Sequence, residues 1–305
     1  MPCSVIRIIF AVAMIQSPLM ATLILPPEQT GDFYVGDFNS DRVVVYDSSG
    51  IYQYSFTASG LNGPRGIVVL QDGTTFVASQ LTDEVFIFDT DGMLETTFTN
   101  EALDAPTGMA VSNDNLLYVS SYNNDQVVVF GLDGTYIRTF TGGDMNGPNC
   151  VAFDSLGNIF VSSALTNDVV KFDAAENFVT TFTGGSLSSP MGIARDSDDV
   201  LYVAGGLSNN IAKFDTEGNY LGQLQHPDLT SPQGVAFDDE GHLFSTSFSK
   251  NNVVEFDAAG SYIRTITEGQ LSVPRSIAFV PVPEPSTITI FVFGTWILAR
   301  RRRIV

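Results

Sequence analysis

The sequence predicts an all-β chain closed into a six-bladed β-propeller, and three observations carry that prediction. The first is a ruler. Pro64, Pro106, Pro148, Pro190, Pro232 and Pro274 follow one another at a constant 42 residues, with no insertion or deletion. Two aromatic columns keep the same step: Tyr34, Phe76, Tyr118, Phe160, Tyr202 and Phe244, then Tyr46, Phe88, Phe130, Phe172, Phe214 and Phe256. The second is the content of each unit, four short apolar runs with turn residues between them, which is the content of a propeller blade. The third is the seam: the chain starts with three runs of a unit and ends with the missing one.

The third unit shows the elements in order. "CVAFD", "NIFVSS", "DVVKFD" and "NFVTTF" are rich in Val, Ile, Phe and Thr and run about five residues each, so they read as strands. The turns between such runs, "QDGT", "DTDG", "GLDG", "DTEG" and "DDEGH", place Asp and Gly where tight hairpins need side-chain hydrogen bonds or positive φ. Residues 31–57 supply only the last three strands of a blade, and "PRSIAFV" at 274–280 supplies its first. Sharing one blade between the two ends locks the ring and removes free sheet edges.

Composition narrows the function. Apolar residues make up 44% of the chain, enough for a real core, and 14 Lys and Arg face 34 Asp and Glu. Five of those basic residues, Arg7 and Arg300 to Arg303, belong to the terminal segments, so the body is more acidic than the formal charge of −20. Such a body repels nucleic acid and anionic lipid, and nucleic-acid binding is excluded. Cys3 and Cys150 have no CxxC spacing, which removes thiol-redox and zinc-ribbon chemistry. Lone Cys150 reads as a small buried hydrophobe. At the N-terminus, Arg7 precedes an apolar run from Ile8 to Ile15, the pattern of a signal peptide over residues 1–21 that is too short to span a bilayer.

The repeated pattern P-x-G-[IV]-A-F-D, D-x-x-G-x-[IL]-[FY]-V and N-x-[VI]-x-x-F-D-x-x-G resembles the NHL-repeat propellers over residues 31–280. That resemblance implies the fold and leaves the activity open, because one fold hosts scaffolds, receptors, lyases and lactonases. The family often carries an Asp after the second strand. Here only Asp37 keeps it, and Ser79, Ser121, Ser163, Gly205 and Ser247 stand in the other copies.

Propeller geometry then sorts the loops. Blade-to-blade loops and the loops between second and third strands share one face. The residues after the repeat prolines, Arg65, Thr107, Asn149, Met191, Gln233 and Arg275, are expected to ring the channel mouth there, with Phe38, Tyr122, Phe248 and Lys250 farther out. The ring varies from blade to blade, with only Arg used twice, while the framework repeats, which marks it as a ligand-binding candidate. The opposite face concentrates carboxylates. Asp196, Asp198, Asp199, Asp238, Asp239 and Glu240 are its candidates for Ca²⁺, the one cofactor the sequence suggests, since calcium takes six to eight oxygen ligands. Turn chemistry explains the same acids without a metal, and no stretch has EF-hand spacing. No catalytic set is predicted. HExxH, GxSxG, GxGxxG and P-loop motifs are missing, and two histidines, His226 and His242, are too few for the three-histidine zinc of the propeller-type peptidylglycine lyases. A gluconolactonase-like channel metal would have Asn149 but no carboxylate from the ring.

The C-terminal segment, residues 281–305, is read separately. "VPEPST", an apolar stretch over 287–299 and Arg300, Arg301, Arg302 and Arg303 resemble a PEP-CTERM sorting signal, with Pro283, Glu284 and Pro285 as its motif. The prolines forbid continued strand or helix and leave a stiff linker. The arginines stay cytoplasmic by the positive-inside rule. The apolar stretch covers about 20 Å as a helix against roughly 30 Å of hydrocarbon, which suits a transient anchor. The resemblance implies an exosortase-type processing enzyme as partner and a Gram-negative host that makes extracellular polysaccharide. The chain is thus expected to be exported, briefly anchored in the membrane by its C-terminal segment, and to bind a polysaccharide or envelope protein. The alternative is a metal-dependent lactonase-like hydrolase or lyase.

Overall fold

The computed structural model describes residues 31–280, and they form six four-stranded antiparallel sheets arranged as blades. The predicted leader, residues 1–21, and the predicted sorting segment, residues 281–305, lie outside the described residues. Among the described residues no helix is long and apolar enough to cross a membrane. Blades I to V are residues 64–98, 106–140, 148–182, 190–224 and 232–266, each running in sequence order from the channel outward. Blade VI joins Pro274–Phe279, as its innermost strand, to Phe33–Asp37, Arg42–Tyr46 and Tyr52–Phe56. The seam is therefore where the split unit places it, with Phe33 opposite Phe279 and Val35 opposite Ile277.

Each sheet buries both faces against its neighbours, so the inner strands are apolar almost continuously. Tyr34, Val43, Val45 and Phe56 of blade VI pack against Ile67, Val77, Phe86 and Phe88 of blade I. On the other face Phe33, Val35, Val44, Tyr46 and Ile277 meet Phe244, Val253 and Ile266 of blade V. One aromatic contact recurs from the outermost strand of a blade to the third strand of the next. Ring centroids are 4.9 Å apart for Phe56–Phe88, 5.0 Å for Phe98–Phe130 and Phe140–Phe172, and 5.2 Å for Phe182–Phe214.

Two polar latches fasten the connections between consecutive blades. Asp41, Asp83, Asp125, Asn167, Asn209 and Asn251 all sit at positive φ, between 49° and 61°. The side-chain oxygen of each accepts the N–H of the residue before a repeat proline, from Asp41 with Gly63 at 2.8 Å to Asn251 with Val273 at 2.9 Å. The second latch explains the departure from the resembled pattern. Asp37 Oδ1 accepts the Ser272 N–H at 2.6 Å, and Ser79, Ser121, Ser163 and Ser247 use their hydroxyls for the equivalent bond to Asn62, Asp104, Asn146 and Thr230. Where blade IV has Gly205, Ser208 supplies the hydroxyl to the Ser188 N–H at 3.2 Å. Serine thus does the work of aspartate without burying a charge. Asp37, fully buried, has its carboxyl pushed up by desolvation and needs Arg42 beside it at 3.2 Å.

Candidate functional site: the channel mouth

Every innermost strand begins with its proline at one end of the channel. Two residues later comes a belt of Gly66, Gly108, Cys150, Gly192, Gly234 and Ser276. The glycines are steric. A Cβ on Gly108 would lie 2.6 Å from the Asn149 carbonyl oxygen and the Cys150 Cα, and one on Gly192 would lie 2.5 Å from the Gln233 oxygen. The six inner strands therefore approach backbone to backbone. The cavity they enclose measures about 250 Å³, and Ile67, Met109, Val151, Ile193, Val235 and Ile277 supply its apolar lining.

Four of the six ring candidates reach this cavity: Arg65, Asn149, Gln233 and Arg275. The other two do not. Thr107 is fully buried, and its hydroxyl donates to the Pro148 carbonyl at 3.0 Å, tying blade II to blade III. Met191 turns sideways onto the core shared by blades IV and V, with Gly206 against it. A register shift lies between the proline and the residue three positions on in blades I, II, IV and V, so strict alternation does not decide which side chains face the channel.

The guanidinium groups span the mouth. Arg65 donates to Gln80 Oε1 and to Asn149 Oδ1, both at 3.3 Å, and Arg275 donates to Gln233 Oε1 at 3.0 Å. The Arg275 guanidinium sits between two rings, 5.0 Å from the centre of Phe38 and 4.5 Å from that of Phe248. These two outer-face candidates therefore join the ring as its aromatic clamp. Tyr122 stands half-buried on the Arg65 side, beside Leu165 at the Gly147 turn. Lys250 lies elsewhere, 4.0 Å from Asp228.

The charge state of this site is unusual for the molecule. Arg42, Arg138, Arg195 and Arg264 each have a carboxylate partner; among the described residues Arg65 and Arg275 have none. Burial, and next the neighbouring Arg275, push the Arg65 guanidinium down to about 9. Desolvation lowers Arg275 as well. At about 9, Arg65 is still cationic at neutral pH. Three more polar atoms at the cavity are buried without a hydrogen-bond partner: Asn149 Nδ2, Arg275 Nε and Ser276 Oγ. Cys150 lies in the same wall, its thiol pushed up by burial.

The acidic face is mostly hairpin chemistry. Asp196 Oδ1 accepts the N–H groups of Asp198 and Val200, and Asp238 Oδ1 those of Glu240 and His242. Asp47, Asp89, Asp154, Asp173, Asp215 and Asp257 make the same pair of bonds in other hairpins. Asp199 is held by Ser155 and Arg195. A second cavity, about 370 Å³, brings Asp196 and Asp198 of blade IV to Asp238 and Asp239 of blade V. Asp238, Glu240 and His242 bring one ligand atom each within 4.8 Å, the one such group among the described residues. His226 is elsewhere, stacked on Tyr262 at 3.8 Å. Because the turn bonds already hold these loops, we expect EDTA, or millimolar calcium, to move the melting temperature by less than about 2 °C. A larger shift in a calorimetric scan would make calcium part of the fold.

No family model matches the chain, and no curated protein matches it. Solved structures do. Virginiamycin B lyase from Staphylococcus aureus, solved in catalytically inactive form with quinupristin, is 14% identical over 84% of this chain and 90% of that one, with a TM-score of 0.64. A chain from the nidogen/laminin complex is also 14% identical, over 82% and 98%, with a TM-score of 0.70. A protein of unknown function from Bacteroides caccae reaches 0.66 at 12% identity, over 81% and 97%. At such identities the likeness is one of fold. The chain is a six-bladed β-propeller, and its neighbours include both a lyase and a propeller from a protein–protein complex.

Proposed function

We propose that this chain is an exported binding propeller of the NHL-repeat kind, processed at its C-terminal sorting signal and holding an envelope or matrix partner at the channel mouth. One observation carries the binding reading. In an acidic molecule, the two arginines that lack carboxylate partners among the described residues both line the mouth of the channel, beside a buried amide with a free donor. Buried unpaired charge is costly, and proteins retain it where it meets something from outside. The leader and the tail, with their proline motif and arginine block, supply the export and processing.

The hydrolase or lyase reading has a poorer basis. A channel metal needs anionic or imidazole ligands, and the cavity lining offers two guanidinium groups instead, which repel a cation. The test uses cells producing three full-length forms: the natural chain, a Pro283→Ala/Glu284→Ala/Pro285→Ala form and an Arg65→Gln/Arg275→Gln form. We expect the natural chain to be shortened and retained at the envelope. The motif variant should stay unprocessed in the membrane, and the arginine variant should be processed normally but lost to the medium. Retention of the arginine variant would refute the mouth as the partner site. Normal processing of the motif variant would refute the sorting signal.

A further inference from the structure

Resting on the reading of the mouth as the partner site, the geometry points to a definite ligand chemistry: we infer that the mouth receives one carboxylate group, presented by a protein loop with aliphatic neighbours.

The donor count sets the sign. The acceptors at the mouth are already engaged, Asn149 Oδ1 by Arg65 and Gln233 Oε1 by Arg275. What is left over is donors: Asn149 Nδ2, on a side chain only 6% exposed, and Arg275 Nε; Ser276, whose hydroxyl is also without a partner, lines the same cavity. They come from blades III and VI and line one cavity with Arg65 of blade I, which already donates to the Asn149 side chain. An entering anion would give each of these groups the acceptor it lacks, and the site's low dielectric would strengthen every bond. A cation or a neutral acceptor-poor group would leave them unsatisfied.

Two further features narrow the anion. The chain carries a formal charge of −20, so repulsion on approach grows with the charge of the ligand, and a monoanionic carboxylate is admitted more easily than a dianionic phosphate. A guanidinium fork also matches the two coplanar oxygens of a carboxylate. The carrier is indicated by the rim. Loops on the mouth face expose Leu81 at 58%, Leu165 at 59% and Leu207 at 74% of their surface. Phe38 and Phe248 offer little open ring for stacking a sugar, because Arg275 occupies the gap between them. An aliphatic rim around a cationic centre fits an acidic residue flanked by apolar ones.

The experiment measures thermal shifts of the full chain with four probes: acetyl-Leu-Asp-Leu-amide, its Asn counterpart, methyl glucuronate and inorganic phosphate. We expect the Asp peptide at high excess over its dissociation constant to raise the melting temperature by about 3 °C or more, and the Asn peptide to leave it unchanged. Arg65→Gln/Arg275→Gln should lose the shift, and Asp239→Asn, on the opposite face, should keep it. Equal shifts from the Asp and Asn peptides, or no shift from any probe, would overturn the site. A shift from glucuronate without one from the peptide would overturn the protein carrier, and a larger shift from phosphate would overturn the monoanion. Asn149→Asp provides a second reading that does not depend on peptide affinity. It places a permanent carboxylate 3.3 Å from Arg65, so the empty protein should melt several degrees higher and no longer respond to the Asp peptide. A lower melting temperature for Asn149→Asp would count against an anion site at this point.

Discussion

A chain ended at residue 273 should fail to form a monomeric ring. The lost segment contributes the innermost strand of blade VI, so Phe33–Asp37 would become an open edge, and Ile277 and Phe279 would leave the core shared with blade V. Every backbone bond in that pairing goes, and the channel opens on one side. The combined loss exceeds the roughly 5–15 kcal/mol of net stability that a folded domain has in reserve. Size-exclusion chromatography and circular-dichroism melting would show aggregate or an expanded chain with no cooperative transition. Adding residues 274–280 in front of Asp32 through a tight turn should restore the ring, because Phe279 already pairs with Phe33. A well-behaved monomer without the strand would mean that blade VI stands on three strands and that closure is dispensable.

Gly108→Val should cost about 3 kcal/mol or more, a fall of roughly 10 °C in melting temperature. The obstacle to a side chain there is the Asn149 carbonyl and Cys150 Cα of the next blade, both main chain, and neither can turn aside. Relief would require blade III to back away from blade II, which breaks the Thr107 to Pro148 bond and disturbs Asn149. Chemical denaturation at fixed pH measures the loss. Stability equal to that of the natural chain would show that the inner strands have slack, and the glycine belt would lose its steric meaning.

The sequence was most informative where the physics repeats. Prolines and aromatics at a fixed step reveal the blades because every blade buries the same faces against its neighbours. The split unit reveals the seam for the same reason. Legibility fails where a role depends on distance rather than pattern. The Asp41 to Asn251 column is visible as a recurring Asp or Asn, yet nothing along the chain says that each caps a residue 22 positions later. The glycine two residues after four of the six repeat prolines was part of the motif, but its purpose appears only when a neighbouring blade is set against it. Within the candidate site, Arg65 and Arg275 were readable as mouth residues. Thr107 and Met191 were not separable from them: they stand in the same column after the same irregular pairing, and what removes them is a local contact, the Thr107 bond to Pro148 and the packing of Met191 on the core of blades IV and V. That both arginines lack acid partners was also beyond reach: with 34 acidic residues in the chain, any arginine would be expected to find one.

The seam has a consequence for how the molecule is held. The Val280 N–H donates to the Asp32 carbonyl at 3.0 Å, so the chain enters and leaves the ring at a single point. That point is on the carboxylate-rich face, since the strand from Pro274 starts at the mouth and ends at Phe279 on the far side. If the chain is tethered at residue 281 as proposed, the stalk would leave close to the channel, with the arginine mouth turned outward and the acidic face looking back at its support. Over an anionic bilayer, like charges would hold that face off within about a Debye length, some 8 Å at physiological salt. Under that proposal the head would stand clear of the lipid, with the arginine-lined mouth directed away from it.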